Sequence, residues 1–261
     1  YGTSSPVHSG QNRFWDFARR SCRRTVSPRS PTHRCATPRE RAHPVSEPGS
    51  VTVVIPCMNE AESLPAVLDS IPPGYRTIVV DNNSTDATAA VAAAHGAAVV
   101  AETVPGYGAA VHAGVLAADT DIVCVLDGDG SMDPRDLPTL VAALNSADLA
   151  VGRRRPAKGS SPLHAKIGNA VLSLRLRTKY KLPVHDLGAI RAVRRQALLD
   201  LDVTDRRSGY PLQLLVLAAE AGWTVVEHDV DYRPRTAGTS KVSGSVRGTI
   251  VAVRDFWKVL S

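Results

Sequence analysis

From Val51 onward the chain repeats one pattern: a short β-branched run that stops at a proline or an acid, followed by a stretch with helical spacing. Val51-Thr-Val-Val-Ile55 stops at Pro56, Thr77-Ile-Val-Val80 at Asp81, and Ile122-Val-Cys-Val-Leu126 at Asp127. Ala97 to Ala101 and Asp148 to Val151 supply two further strands. Between them Ala61 to Ser70 has helical spacing and ends before Pro72-Pro73-Gly74. Ser84 is placed to cap a second helix that runs to about His95, with Asp86 near its positive end and Gly96 after it. Gly106 to Ala118 is a third helix, and Asp133-Pro134 starts a fourth. Buried strands alternating with helices predict an α/β fold: a mostly parallel sheet with helices on both faces. In such sheets ligands bind beyond the carboxyl ends of the strands, and Asp81 and Asp127 stand at those ends.

The second half is less regular. Pro162 to Arg177 has helical spacing with Lys166, Arg175 and Arg177 interleaved. Leu187 to Val193 predicts a strand, Pro211 to Ala221 an apolar helix closed by Gly222, and Trp223 to Val226 and Asp229 to Tyr232 two strands. Ser245 to Leu260 predicts a terminal helix. Residues 1–48 differ in kind, being rich in Arg, Ser, Pro and Thr without apolar periodicity, and are expected to be a disordered basic tail. Residues 49–261 then form the folded domain, with 49–155 as a Rossmann-like nucleotide half and 156–261 as an acceptor half.

Charge follows the same division. Of 31 basic and 25 acidic side chains, nine and three fall in residues 1–50, which leaves 22 of each beyond. The folded part is electrically balanced, which argues against a nucleic-acid partner. No run of eighteen apolar residues predicts a membrane-spanning helix, and the tail has no apolar centre of a secretory signal. Cys22, His33, Cys35 and His43 match no standard zinc spacing. Cys57 and Cys124 lie in apolar runs as small core residues.

The chemistry concentrates in Val125-Leu-Asp-Gly-Asp-Gly130. Two carboxylates this close repel each other unless a cation sits beside them. Hard oxygen ligands suit Mg²⁺ or Mn²⁺, and such an ion can neutralise a diphosphate leaving group. Gly128 and Gly130 allow positive φ and close backbone approach. Gly106-x-Gly108 follows Pro105 and lacks the third spaced glycine of a dinucleotide fingerprint.

Val53-Val-Ile-Pro-Cys-Met-Asn-Glu60, Ile78-Val-Val-Asp-Asn-Asn-Ser-Thr-Asp86 and the Asp-Gly-Asp turn occur in the order and spacing of family 2 glycosyltransferases of the GT-A fold, which the chain resembles over about residues 51–245. Three segments resemble the polyprenyl-phosphate (dolichyl-phosphate-type) enzymes of that family, notably those of actinobacteria. They are Pro105-Gly-Tyr-Gly-Ala-Ala-Val-His-Ala-Gly114, Val184-His-Asp-Leu-Gly-Ala-Ile-Arg-Ala-Val-Arg-Arg195 and Arg233-Pro-Arg-Thr-Ala-Gly-Thr-Ser-Lys-Val-Ser-Gly244.

The resemblance implies roles. Pro56, Asn59 and Glu60 line the nucleoside pocket, and Asp81 accepts a hydrogen bond from the base. Asp127 and Gly128 meet ribose or donor sugar, Asp127 and Asp129 hold the metal, and Arg153 contacts the diphosphate or the sugar. Arg191, Arg235, Ser240 and Lys241 gather around an anionic acceptor or the leaving diphosphate. The implied reaction is inverting transfer from a UDP- or GDP-linked sugar to a polyprenyl phosphate at the cytoplasmic face of the plasma membrane. A phosphate acceptor is already ionised and needs no base. Gln213 stands where hydroxyl-using relatives often carry Glu, which fits; Asp186 is the remaining candidate base. The competing expectations are a soluble hydroxyl-bearing acceptor, and a non-catalytic nucleotide-sugar-binding protein.

Overall fold

The computed structural model of the chain describes residues 51–156, 172–188 and 190–235. The tail expected at 1–48, the terminal helix expected at 245–260, Ser240 and Lys241, and the first part of the helix expected from Pro162 lie outside the described residues.

Seven strands form one sheet: β1 (Val51–Cys57), β2 (Arg76–Asp81), β3 (Ala98–Ala101), β4 (Ile122–Val125), β5 (Leu149–Pro156), β6 (Arg191–Arg194) and β7 (Val225–Tyr232). Their order is β3-β2-β1-β4-β6-β5-β7. β6 runs antiparallel to both neighbours, and every other pairing is parallel, as expected. The helices are α1 (Leu64–Asp69), α2 (Thr88–Ala94), α3 (Tyr107–Ala117), α4 (Leu137–Ala143, after a 3₁₀ turn at Pro134–Asp136), α5 (172–179), α6 (Arg195–Asp200) and α7 (Tyr210–Glu220).

The period of two in the strands splits the core. Val54, Val80, Val123 and Val125 pack with Val111 and Val115 of α3, Leu176 of α5, Leu198 of α6 and Leu212 and Leu215 of α7. Val53, Ile55, Val79, Cys124 and Leu126 pack on the opposite face with Leu64 of α1, Ala92 of α2 and Leu137 and Leu140 of α4. Both faces are therefore covered, and the ligand edge is the only part of the central strands left for chemistry.

Several element expectations needed correction. Ser84 does not cap α2. Asp86 accepts the Thr88 N–H at 2.9 Å, while the Ser84 hydroxyl accepts the Asn59 N–H at 3.0 Å and so ties the β2 loop to the β1 loop. The two late strands are one strand, β7, because it continues the whole register of β5 from Leu149↔Val225 to Pro156↔Tyr232. The strand expected from Leu187 begins only at Arg191, and α6 follows it without a break. Arg195-Gln-Ala-Leu-Leu-Asp200 is too short for periodicity to announce it.

α3 reaches its position by a close approach to the sheet. A Cβ on Gly114 would overlap Val54 Cγ1 and meet Val80 Cγ2 at 3.0 Å, and both valines are fully buried. Gly114→Ala is expected to lower unfolding free energy by about 1–3 kcal/mol through overpacking. Urea denaturation checks this; an unchanged midpoint and slope would show that α3 can move away freely.

Candidate active site

The carboxyl ends of β1, β2, β4, β5 and β7 meet along one edge, joined there by the start of the antiparallel β6. The Asp-Gly-Asp turn leaves β4 at this edge. The Leu126 N–H donates to Val54 O at 3.1 Å, so the turn starts as an extension of the sheet. Gly128 lies over β1: an added Cβ would stand 2.6 Å from Cys57 Sγ and 3.2 Å from Ile55 Cγ2. Its carbonyl accepts the Ser63 hydroxyl at 2.9 Å. The need for glycine here is one of space, whereas Gly130 takes a φ of 71°.

The two acids of the turn differ. Asp129 is buried; its Oδ1 accepts the Ser131 N–H at 2.9 Å, and its Oδ2 meets Arg235 Nη2 at 2.9 Å. Arg235 also reaches Glu60 Oε1 at 3.2 Å, so one guanidinium bridges the β1 loop and the β4 turn. Asp127 Oδ1 is buried without a hydrogen-bond partner. Burial first, and then the charge of Asp129, push the Asp127 carboxyl up to about 6, against the opposing pull of Arg191, Arg154 and Arg235.

Arg191 comes from β6, paired across from Val125 of β4. It is 2% exposed, and its Nε and Nη2 donate to Gly188 O, while Nη1 has no partner. Arg154 on β5 holds Asp186 through two bonds, Nε to Oδ2 at 2.7 Å and Nη2 to Oδ1 at 2.6 Å, and its own N–H donates to Oδ2 at 3.0 Å. It also lies 5.4 Å from the Tyr232 ring centroid, within cation–π range. Burial alone would raise the Asp186 carboxyl; the Arg154 guanidinium and the N–H groups of Arg154 and Leu187 outweigh it and hold it below the usual carboxylate range. Glu227 fixes the segment further, accepting the His185 and Asp186 N–H groups at 2.7 and 3.0 Å and pairing with His185 Nδ1 at 2.8 Å.

The nucleoside-pocket residues also gather. Asn59, at a φ of 57°, accepts the Thr85 N–H at 2.7 Å, and Asp81 Oδ1 accepts the Ser84 N–H at 3.1 Å. The Glu60 N–H donates to Thr88 Oγ1 at 2.9 Å, and Pro56 lies within β1. Arg153 does not join the acids: its guanidinium leans toward Asp229, 3.9 Å away, on the β7 side.

Sequence reasoning missed Arg154 and Tyr107. Three consecutive arginines alternate faces in a strand, and nothing in Arg153-Arg-Arg155 says which one points inward. Tyr107 sat inside a motif noticed for its glycines; its hydroxyl is buried near Asp127, and burial pushes the phenol well above its ordinary range. Gln213 is a latch on the loop before α7, accepting the Asp205 N–H at 2.6 Å and donating to Thr204 Oγ1 at 3.0 Å.

The donor set suits a hard divalent cation. Asp127 keeps a buried, unbonded carboxylate oxygen beside Asp129. No group of three or more metal-binding side chains occurs among the described residues. An ion held here by one or two carboxylates would take the rest of its shell from substrate phosphates and water.

The sequence profile described as Glycosyl transferase family 2 matches residues 52–201. A protein of Mycobacterium tuberculosis described as an uncharacterized glycosyltransferase is 67% identical over 214 residues, covering 81% of this chain and 98% of the relative. The undecaprenyl-phosphate mannosyltransferase of Micrococcus luteus is 33% identical over 227 residues, covering 79% and 93%. The crystal structure of glucosyl-3-phosphoglycerate synthase from Mycobacterium tuberculosis, in complex with Mn²⁺, uridine diphosphate and phosphoglyceric acid, superposes with a TM-score of 0.65. It is 24% identical and covers 81% of this chain and 77% of that one, a likeness of fold.

Two outcomes follow from the electrostatics. With a folded value of about 6, Asp127 binds its proton more tightly in the native than in the unfolded chain. The ligand-free fold therefore loses stability as pH rises from the usual carboxylate range to about 6. Cation binding, which needs the carboxylate, weakens as pH falls below that value. Mn²⁺ affinity, read from the paramagnetic resonance of free Mn²⁺, is expected to drop about tenfold per unit below pH 6; an affinity flat from pH 7 to 5 contradicts it. Asp186→Asn strands Arg154 and is expected to cost about 2–3 kcal/mol in urea unfolding. That is below the figure for a fully buried pair because Arg154 keeps 32% of its side chain in water.

Proposed function

The chain belongs to glycosyltransferase family 2 and has the GT-A fold, and from that premise we propose that it transfers a sugar, with inversion, from a nucleotide sugar to a polyprenyl phosphate. The observation that carries the reading is the edge where Asp127 and Asp129 stand among Arg154, Arg191 and Arg235, while Asp186, the candidate base of the sequence, is already engaged. Both oxygens of Asp186 are bound by Arg154, and Gln213 is engaged with the loop at 204–205. An acceptor phosphate fits such an edge, because its oxygen is already ionised and needs placement rather than deprotonation. Relatives such as the undecaprenyl-phosphate mannosyltransferase of Micrococcus luteus support the same acceptor class.

Asp127 and Asp129 would hold Mg²⁺ or Mn²⁺, which when bound offsets charge on the departing diphosphate. The residues of the chain do the rest. The β1 and β2 loops, stitched by Asn59, Ser84 and Thr85, form the floor for the nucleoside, with Asp81 at the base. Glu60 and Asp129 fix Arg235 at the edge, where its charge meets phosphate. The acceptor oxygen attacks the anomeric carbon while the bond to the diphosphate breaks. The electron pair leaves with the diphosphate, and no proton has to move. Asp186 serves by aiming Arg154 at the transition-state charge, a positioning task rather than base catalysis.

The acceptor lies at a bilayer, and the surface offers a way to it. No helix among the described residues is long and apolar enough to cross a membrane. On α5, Leu176 is buried while Leu174 is 58% exposed, and exposed Arg175, Arg177, Lys179 and Lys181 accompany it. An exposed apolar side chain with basic residues in the same segment suits an anionic lipid surface. We place the protein peripherally at a membrane surface on this ground.

Purified protein with Mn²⁺ and a panel of UDP- and GDP-sugars is expected to label polyprenyl phosphate in detergent and to leave phosphoglyceric acid and simple sugars unlabelled. Asp129→Ala is expected to lower the rate at least about a hundredfold with the fold intact, the scale of a lost charge-stabilising group. Transfer to the soluble acceptors alone would contradict the acceptor assignment, and full activity in excess chelator would contradict the metal.

A further inference from the structure

The chain leaves β7 across the acidic turn and is tied to it there. The Arg233 N–H donates to Ser131 O at 2.9 Å, and Arg233 Nη2 lies 3.6 Å from Asp133 Oδ2. Two residues on, the Arg235 guanidinium spans two carboxylates from different loops. Its Nη1 meets Glu60 Oε1 at 3.2 Å, and its Nη2 meets Asp129 Oδ2 at 2.9 Å. The bond to Ser131 holds the backbone independently of the Arg235 side chain, which is 25% exposed and keeps one side toward solvent.

The two ends of this bridge are unequal. Glu60 is held by its backbone: its N–H donates to Thr88 Oγ1 at 2.9 Å, and its carbonyl accepts the Leu64 N–H at 2.9 Å where α1 begins. Asp129 is one of the two acids expected to hold a divalent cation, and Arg235 sits on its Oδ2 while its Oδ1 accepts the Ser131 N–H. A neutral N–H can share a carboxylate with a metal ion. A guanidinium 2.9 Å from the oxygen that the ion takes cannot do so cheaply, because the two cations would then face each other across a single atom. In the ligand-free protein the guanidinium does the electrostatic work of the cation, since Asp129 and Glu60 are buried and an uncompensated buried charge is costly.

We propose that Arg235 is an exchangeable counter-ion of the acidic turn. It holds Asp129 Oδ2 while the turn is free of metal; on loading, its Nη2 passes from Asp129 to a diphosphate oxygen of the donor, while Nη1 keeps Glu60 as the pivot. The inference rests on the donor reading above and adds to it a coupling device. A cation that arrives alone displaces the guanidinium without offering it a new acceptor, and is bound weakly. A nucleoside diphosphate supplies that acceptor, and a guanidinium suits its oxygens. Cation and nucleotide then assist each other partly through one side chain.

Two measurements test this without turnover. In the wild-type protein, phenylglyoxal modification of Arg235, followed by peptide mass, is expected to speed up severalfold in Mn²⁺ alone and to slow again when UDP or GDP is added with it. A rate that saturating Mn²⁺ leaves unchanged would overturn the inference. In Arg235→Gln, Mn²⁺ affinity without nucleotide, read from the paramagnetic resonance of the free ion, is expected to rise about tenfold, the scale of one hydrogen bond to a charged group. With UDP or GDP saturating, the rise is expected to vanish, because the diphosphate has by then drawn the wild-type guanidinium off Asp129. A rise of equal size with and without nucleotide would mean a fixed charge acting through its field, and no rise at all a guanidinium that does not compete. Either result overturns the inference and leaves the donor reading standing. Wild-type protein whose Mn²⁺ and nucleotide affinities are independent of each other would remove the donor reading, and the inference with it.

Discussion

Asp127 and Asp129 put two like charges one residue apart at a half-buried sheet edge, and much of the surrounding structure is arranged to tolerate them. Burial and mutual repulsion act against their joint ionisation, and Arg154, Arg191 and Arg235 act for it. These arginines come from β5, from β6 and from the segment after β7, so the whole second half of the sheet is recruited to one turn after β4. The antiparallel insertion of β6 makes this possible. It brings the start of a strand, rather than its end, to the ligand edge and sets Arg191 opposite Val125.

A second consequence is that acids near the turn are committed elsewhere. Asp186 belongs to Arg154, and Glu227 to His185 and the backbone that carries Asp186. An edge with three arginines, and with Asp186 and Glu227 already engaged, is preorganised for anions. A nucleophile that arrives already charged makes use of this, whereas a neutral hydroxyl does not.

Much of the sheet up to β5 was legible in the sequence. Each β-branched run near residues 51, 77, 97, 122 and 148 became a strand, and the acids expected at strand ends stand there. Local rules sufficed because the central strands β1, β2 and β4 carry the buried core and the helices are the crossovers that parallel pairing requires. The second half of the chain was harder to read. β6 is short and reversed, α6 follows it without a linker, and β7 looked like two strands because Glu227, His228 and Asp229 interrupt its apolar pattern at a sheet edge. Among site residues, Arg235 meets Glu60 and Asp129, a pairing between segments that their separate motifs did not announce. The choice between Arg153 and Arg154, and the inward turn of Tyr107, depend on pairing and packing that no local pattern encodes.

The central claim is that the acidic turn and a divalent cation together bind a nucleoside diphosphate. Its most direct test is thermodynamic linkage: titrate Mn²⁺ with and without UDP or GDP, and titrate the nucleotide with and without Mn²⁺. The account predicts that each ligand tightens the other by the same factor, about tenfold or more, and that Asp127→Asn abolishes the coupling. Nucleotide affinity that is identical in Mn²⁺ and in excess chelator would contradict it.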